Sequence, residues 1–457
     1  MKIILLSGGS GQRLWPLSND SRSKQFLKVL DNPETDTRES MVQRVWRQLN
    51  EIGLSEDAII ATNYTQSEIL KNQLGEDVPI VIEPDRRDTF AAISLAVTYL
   101  YKYKSLKEDE VITVLPVDPF VEQDFFTQIK GLENLIDSNN SDLALIGVKP
   151  TFPSEKYGYI LPGKEVKNGF EVNKFVEKPS KEYAEQLMKK NALWNCGVFA
   201  FRVSYILDYL DCININNDYD YLLENYSSIP KNSFDYEVVE SMRNIVVTQY
   251  NGEWKDLGTW NTLSEEMSVN VNGKGILGQD TLNTHIINEL DIPVVVIGID
   301  NAIISSSYEG ILVSSKELSP KVKNYINEFP TRPMYEEKRW GWYRVLEYTK
   351  HVEGNETLVK RIGIEREYNV DYLVHYNSSK IWTIVKGEGI FAIDGKLEHI
   401  RAGDVIKISL SQKHSVKAIT DLEIIEVQTG KHLTENDNHT ITQEWGKIED
   451  MCSVNIK

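Results

Sequence analysis

The residues best suited to chemistry begin at the amino-terminal end of the chain. An apolar run from Lys2 to Ser7 breaks into Gly8, Gly9, Ser10 and Gly11, and is followed by Arg13, Pro16 and, eleven residues past the arginine, Lys24. A buried strand feeding a glycine turn is where an open α/β sheet takes its ligand, outside the carboxyl end of the strand. Three glycines within four residues let the backbone approach closely and aim several N–H groups at an anion. The predicted guest is a phosphate. Neither common phosphate motif is present, because G-x-x-x-x-G-K-[ST] is missing and Leu14 replaces the third glycine of G-x-G-x-x-G.

A carboxylate extends this reading. Asp118 follows the β-rich run Val111 to Pro116, and a carboxylate at a strand's carboxyl end beside a phosphate loop is well placed to hold Mg²⁺, which prefers oxygen ligands and substrate phosphates. Asp256 lies far along the chain, between Trp254 and Trp260, and taken alone reads as a turn residue. All seven histidines fall at or after His285. The first 284 residues therefore offer no imidazole for acid–base work, which leaves carboxylates, cations and metal.

The string GGSGQRLWPLS from Gly8, with SKQFL from Ser23, resembles the sugar-phosphate nucleotidyltransferases, and within them the mannose-1-phosphate guanylyltransferase branch. The resemblance implies nucleotide contacts from Ser7, Gly8, Gly9, Gly11 and Arg13, and from the loop Glu83, Pro84, Arg87, Asp88 and Thr89 that lines the base pocket. It implies sugar-phosphate contacts from Gly158, Glu177, Lys178, Asn195 and Asp235, each within a matching short motif. Asp118 and Asp256 become the metal ligands, and Arg13, Lys24, Lys178 and the two aspartates the catalytic set. Asp88, Phe90 and Pro119 depart from the usual mannose pattern, so the base and the sugar stay open: another manno-configured sugar, such as a heptose, or another nucleotide fits the same motifs. Cys196 stands where serine is common and receives no catalytic role.

The elements that must carry these groups alternate. Residues 39–53 and 90–105 have helical spacing, while Ala58–Thr62, Pro79–Ile82, Val111–Pro116 and Leu143–Val148 read as buried strands, which predicts a Rossmann-like, doubly wound α/β domain over 1–270. From about Gly273 short strands without long helices predict a small β-helix-like module over 271–330, left-handed by the resemblance, as a prop or oligomer contact. The proline- and charge-rich stretch 329–339 reads as a linker. Evenly spaced short strands over 339–430 then predict a barrel within 331–457, and residues 431–457 a polar appendage. This last part resembles the cupin domain of bifunctional mannose-6-phosphate isomerase/guanylyltransferases. Its four metal-ligand positions fall on His375, Asn377, Lys380 and His414, and a lysine ammonium opposes a divalent cation where a carboxylate should coordinate. The expectation is a barrel that has lost isomerase activity.

Bulk properties narrow the rest. At 457 residues the chain is too long for one core, and a net charge of −18 argues against a nucleic-acid partner. Three scattered cysteines and no apolar run of membrane-spanning length predict a cytoplasmic protein with no membrane association. The resemblance implies GTP and a sugar 1-phosphate as partners with Mg²⁺ as cofactor, and the expected assembly is a homo-oligomer, a dimer. A catalytically silent regulatory subunit is the competing class.

Overall fold

The structure, a computed structural model, describes residues 1–9, 12–326, 332–434 and 437–454. Its centre is a nine-stranded sheet. We number its strands β1 (Lys2–Ser7), β2 (Ala58–Asn63), β3 (Ile80–Glu83), β4 (Val111–Pro116), β5 (Leu143–Val148), β6 (Tyr159–Val166), β7 (Gly169–Val176), β8 (Leu193–Arg202) and β9 (Ile245–Tyr250). Their order across the sheet is β3-β2-β1-β4-β8-β5-β9-β7-β6. The first four run parallel, whereas β8 enters antiparallel to both β4 and β5. The Rossmann-like reading thus holds, with β8 reversed through its middle and β7 antiparallel to both β9 and β6.

Alternation within β1 explains why the sheet is covered on both faces. Ile3 and Leu5 join one core with Val42, Val45 and Leu49 of helix α1 (Met41–Glu51), while Ile4 joins the other with Phe90, Ile93 and Val97 of helix α3 (Asp88–Tyr103). Between them in sequence, helix α2 (Tyr64–Leu74) begins at Asn63, whose side chain accepts from the Gln66 N–H.

The β-helix-like module is built as parallel rungs: 271–272, 285–288 and 302–307 stack in parallel, and 275–277 lies parallel to 294–296. The barrel is two six-stranded sheets. Two expectations need correcting. Residues Tyr335–Lys338, read as linker, form the edge strand of one barrel sheet, with Glu336, Glu337 and Arg339 buried. Their charges are consumed by ion pairs to the front domain and the barrel, which sequence cannot distinguish from solvated charge. The carboxyl-terminal stretch is likewise no appendage, because His439–Thr442 and Ser453–Val454 pair with barrel strands and the helix Trp445–Met451 buries Trp445 and Ile448.

Candidate active site

Most strands that meet the site do so at the carboxyl end or at a bulge, whereas Pro119–Val121 and β6 meet it at their amino ends, through Asp118 and Gly158. After β1 the chain turns at Gly9, whose φ of +106° favours glycine. The buried Gln66 side chain donates to the Gly9 carbonyl at 3.1 Å and to Ser23 Oγ at 2.7 Å, tying the turn to the later loop that carries Lys24. Gly11 lies outside the described residues.

The two aspartates meet because short strands Pro119–Val121 and Trp254–Asp256 form an antiparallel ribbon, with Asp256 opposite Pro119. Asp118 immediately precedes the first of these strands. Lys24 Nζ sits between them, 2.7 Å from Asp118 Oδ2 and 2.7 Å from Asp256 Oδ1. Burial opposes the Lys24 charge, yet the two carboxylates outweigh it and raise the pKa. Burial likewise works against the Asp256 charge, but Lys24, with Arg13 and Lys156, holds that carboxyl below its ordinary value. Arg13 itself is exposed.

Two chambers open around this point. The larger, about 550 Å³, is lined by Ser7, Gly8, Gly9, Glu83, Arg87, Asp88 and Thr89 among others, and the smaller, about 240 Å³, by Lys24, Gly158, Glu177, Asn195 and Asp256 among others. Both are walled by Pro116, Asp118, Gly197 and Asp235, so they meet beside the lysine. Most residues expected to hold nucleotide thus line one chamber, and most of those expected to hold sugar phosphate line the other, while Arg13 lines neither.

In the larger chamber Asp88 opens α3 with a φ of +68°, and the loop is pinned from behind: Thr89 Oγ1 accepts from the Phe234 N–H at 2.8 Å, and Arg87 Nε donates to the Ile229 carbonyl at 2.9 Å. Burial pushes the Glu83 carboxyl up to about 7, although Tyr226 Oη donates to it at 2.6 Å. Pro84 is exposed and does not line the chamber.

In the smaller chamber Asn195 Nδ2 donates to Asp235 Oδ1 at 2.7 Å, and its Oδ1 accepts from the Gly197 N–H at 3.0 Å. Burial, then the neighbouring Glu177 charge, pushes Asp235 up to about 7. Burial also raises Glu177, against the pull of Lys178, whose Nζ lies 2.6 Å from Glu177 Oε1. The second oxygen, Oε2, is buried without a partner among the described groups and faces Gly158, where a Cβ would stand only 2.5 Å from it. This is an unsatisfied acceptor beside an open glycine, suited to a ligand hydroxyl. Lys178 is half exposed and lines neither chamber. Cys196 is buried and its thiol is pushed up by that burial, in keeping with no catalytic role.

Sequence reasoning missed Lys231 and Arg86 in the larger chamber and Lys156 in the smaller. Arg86 and Lys156 lie within two residues of an expected site residue and Lys231 within four, and that proximity is the available signal. In the barrel, His375 and His414 do come together, with ring centroids 4.9 Å apart. Lys380 Nζ lies 3.6 Å from Glu426, and burial, then Lys380, lowers His375 to about 4. Asn377 turns to Asp437, donating at 2.8 Å. Among the described residues no group of three or more histidine, cysteine, aspartate or glutamate side chains is arranged to hold a metal ion.

Comparison with known proteins gives two family matches: residues 2–271 match the nucleotidyl transferase family, and residues 332–443 the mannose-6-phosphate isomerase C-terminal family. A mannose-1-phosphate guanylyltransferase of Salmonella muenchen is 28% identical, covering 98% of this chain and 99% of its own. One of Escherichia coli is 29% identical, covering 94% and 98%. A crystal structure from Thermus thermophilus, described as a mannose-1-phosphate geranyltransferase, is 25% identical and superposes with a TM-score of 0.62 over 72% of this chain and 99% of that one.

Proposed function

The chain belongs to the nucleotidyl transferase family, and we propose that it makes GDP-mannose and pyrophosphate from GTP and mannose 1-phosphate. One observation carries the reading: two chambers of unequal size share a wall at Asp118, where a cation is already held between two carboxylates. The names of relatives aligned over more than nine-tenths of the chain support the base and the sugar.

An oxygen of the sugar phosphate attacks the α-phosphorus of the nucleotide in line, and pyrophosphate leaves. That oxygen is already anionic near neutral pH, since a phosphate monoester has its second pKa near about 6. No general base is needed, in keeping with the absence of histidine before His285. The barrier lies in bringing polyanions together, so positioning and positive charge supply the acceleration. Arg13 neutralises the departing pyrophosphate, and Lys24 and Lys178 the reacting phosphates. Glu177, Asn195 and Asp235 orient the sugar hydroxyls. Asp118 and Asp256 suit a magnesium ion, being hard oxygen donors that already converge on one cation. When bound, Mg²⁺ supplies charge neutralisation between the two substrates.

The barrel has no isomerase activity in this reading, a view supported by the Lys380–Glu426 ion pair beside the two histidines. Exposed Ile276, Val295, Ile297, Ile311 and Val313 on the rungs support a homodimer through this module. Three free cysteines support a cytoplasmic setting, and among the described residues no helix is long and apolar enough to cross a membrane.

Pyrophosphate release across a panel of nucleoside triphosphates and sugar 1-phosphates, with a manno-heptose included, tests the proposal. GTP with mannose 1-phosphate should give the highest kcat/KM. A faster pair overturns the base or sugar, and no release with any pair overturns the reaction.

A further inference from the structure

The loop that presents Lys24 has no regular structure between Trp15 and Ser23, yet its buried charged anchor lies outside the front domain. The Arg22 guanidinium makes a bidentate contact with Glu289 of the rungs, 2.9 Å to each oxygen, and its Nε lies 3.4 Å from Glu337 of the barrel's first strand. It also lies over the Tyr335 ring, 5.3 Å from the centroid. Two residues beyond Lys24, the Phe26 carbonyl accepts from Gln73 Nε2 at 3.0 Å, and the same amide lies 3.1 Å from Glu337 Oε2. Lys24 is therefore flanked at i−2 and i+2 by groups that both lead to one barrel carboxylate.

Burying a charge cluster of this kind is a poor route to stability, because apolar side chains of similar volume would do as well or better. What it provides is a fixed geometry: a planar guanidinium held bidentately by Glu289, with the Glu337 charge 3.4 Å from its Nε, is pinned between two distant parts of the chain. We propose that Arg22 is a positioning residue for nucleotidyl transfer, holding Lys24 between Asp118 and Asp256, and that the barrel which supplies Glu337 is a working part of the transferase. This gives the barrel a role independent of any metal. It rests on the proposed reaction type but on neither the base nor the sugar.

The full-length chain tests it with whichever substrate pair the unaltered enzyme turns over. Arg22→Lys and Glu337→Gln should each lower kcat about 10- to 100-fold, the scale of an ångström-size misplacement, with both KM values moving less than about threefold. A merely structural role would not make the effect depend on Lys24. In a Lys24→Met background, Arg22→Lys should cost less than about threefold, since the group it positions is gone. An unchanged kcat, or the same loss in both backgrounds, overturns the proposal. Should the single variants fail to fold, the triple variant Arg22→Met, Glu289→Gln, Glu337→Gln removes all three charges of the cluster together and must show the same loss. If the unaltered enzyme turns over nothing, the reaction assignment has failed. The positioning claim is then read by ¹³C NMR of the reductively dimethylated protein, with the Lys24 signal identified by its loss in Lys24→Arg. A Lys24 resonance that moves in Arg22→Lys supports the claim, and one that stays overturns it.

Discussion

Lys24→Met should change metal binding and turnover in opposite directions. The Lys24 ammonium donates to both aspartates at 2.7 Å, and the three side chains are 23%, 26% and 30% exposed. A hydrogen bond to a charged group contributes about 1.5–3 kcal/mol, and partial exposure to water puts the pair of bonds near the bottom of that range, about 2–3 kcal/mol in all. A dication seeking the same carboxylates must overcome that hold. Removing the ammonium should therefore tighten binding of Mn²⁺, used as a probe for Mg²⁺, by about 30- to 150-fold in the absence of nucleotide. Turnover should fall by about a thousandfold, because a charge aimed at the reacting phosphates is lost. Free Mn²⁺ measured by electron paramagnetic resonance gives the first quantity and pyrophosphate release the second. Adding Asp256→Asn to Lys24→Met should abolish the gain. If Mn²⁺ affinity stays the same or weakens in Lys24→Met, the ammonium and the metal do not contest the same two carboxylates, and the assignment of Asp118 and Asp256 as ligands falls.

Three other outcomes are expected. In Gly158→Ala the new methyl would stand 2.5 Å from Glu177 Oε2 and 3.2 Å from Asn195 Cβ, so kcat/KM for the sugar phosphate should drop about 10- to 100-fold with the nucleotide KM nearly unchanged; equal losses for both substrates would contradict the two-chamber division. Glu83 is raised from 4.5 to about 7 by burial, so over that window it is neutral when folded and ionised when unfolded. Its stabilising contribution is complete below about pH 4.5 and lost as pH climbs through about 7, with Tyr226, Arg86, Asp85 and Asp88 facing it throughout. Glu83→Gln should accordingly raise Tm relative to the unaltered protein more at pH 8 than at pH 5, and a pH-independent difference counts against the buried carboxyl. In the barrel, elemental analysis of the purified protein should find no stoichiometric zinc or cobalt, whereas Lys380→Glu should let His375, His414 and Glu426 recruit Zn²⁺ at least about tenfold more tightly; equal zinc affinity would show that the lysine is not what excludes the metal.

Local signals in the chain proved informative where the chemistry is local. The glycine turn after β1 depends on φ at Gly9 and on a strand ending at Ser7, both readable from neighbouring residues. The pairing of Asp118 with Asp256 was legible only through motif resemblance, since nothing in either neighbourhood indicates a ribbon between 119–121 and 254–256. The stretch 335–339 was misread because buried and solvated charges have the same composition. Arg22 gave no signal at all, being one arginine in a polar loop, and its partners lie 267 and 315 residues away.

By itself, then, the amino-acid sequence determined five of the nine sheet strands, the glycine turn after β1 and the exclusion of imidazole chemistry from the front domain, because backbone preference and residue inventory need no knowledge of where the chain crosses itself. The tertiary structure alone decided that Lys24 is the cation between the two aspartates, that Glu177 keeps one oxygen unpaired toward Gly158, and that the barrel grips the loop beside the site. Each of these depends on which distant groups are brought within about 3.5 Å of one another, where partial burial makes Coulomb energies larger than in bulk water.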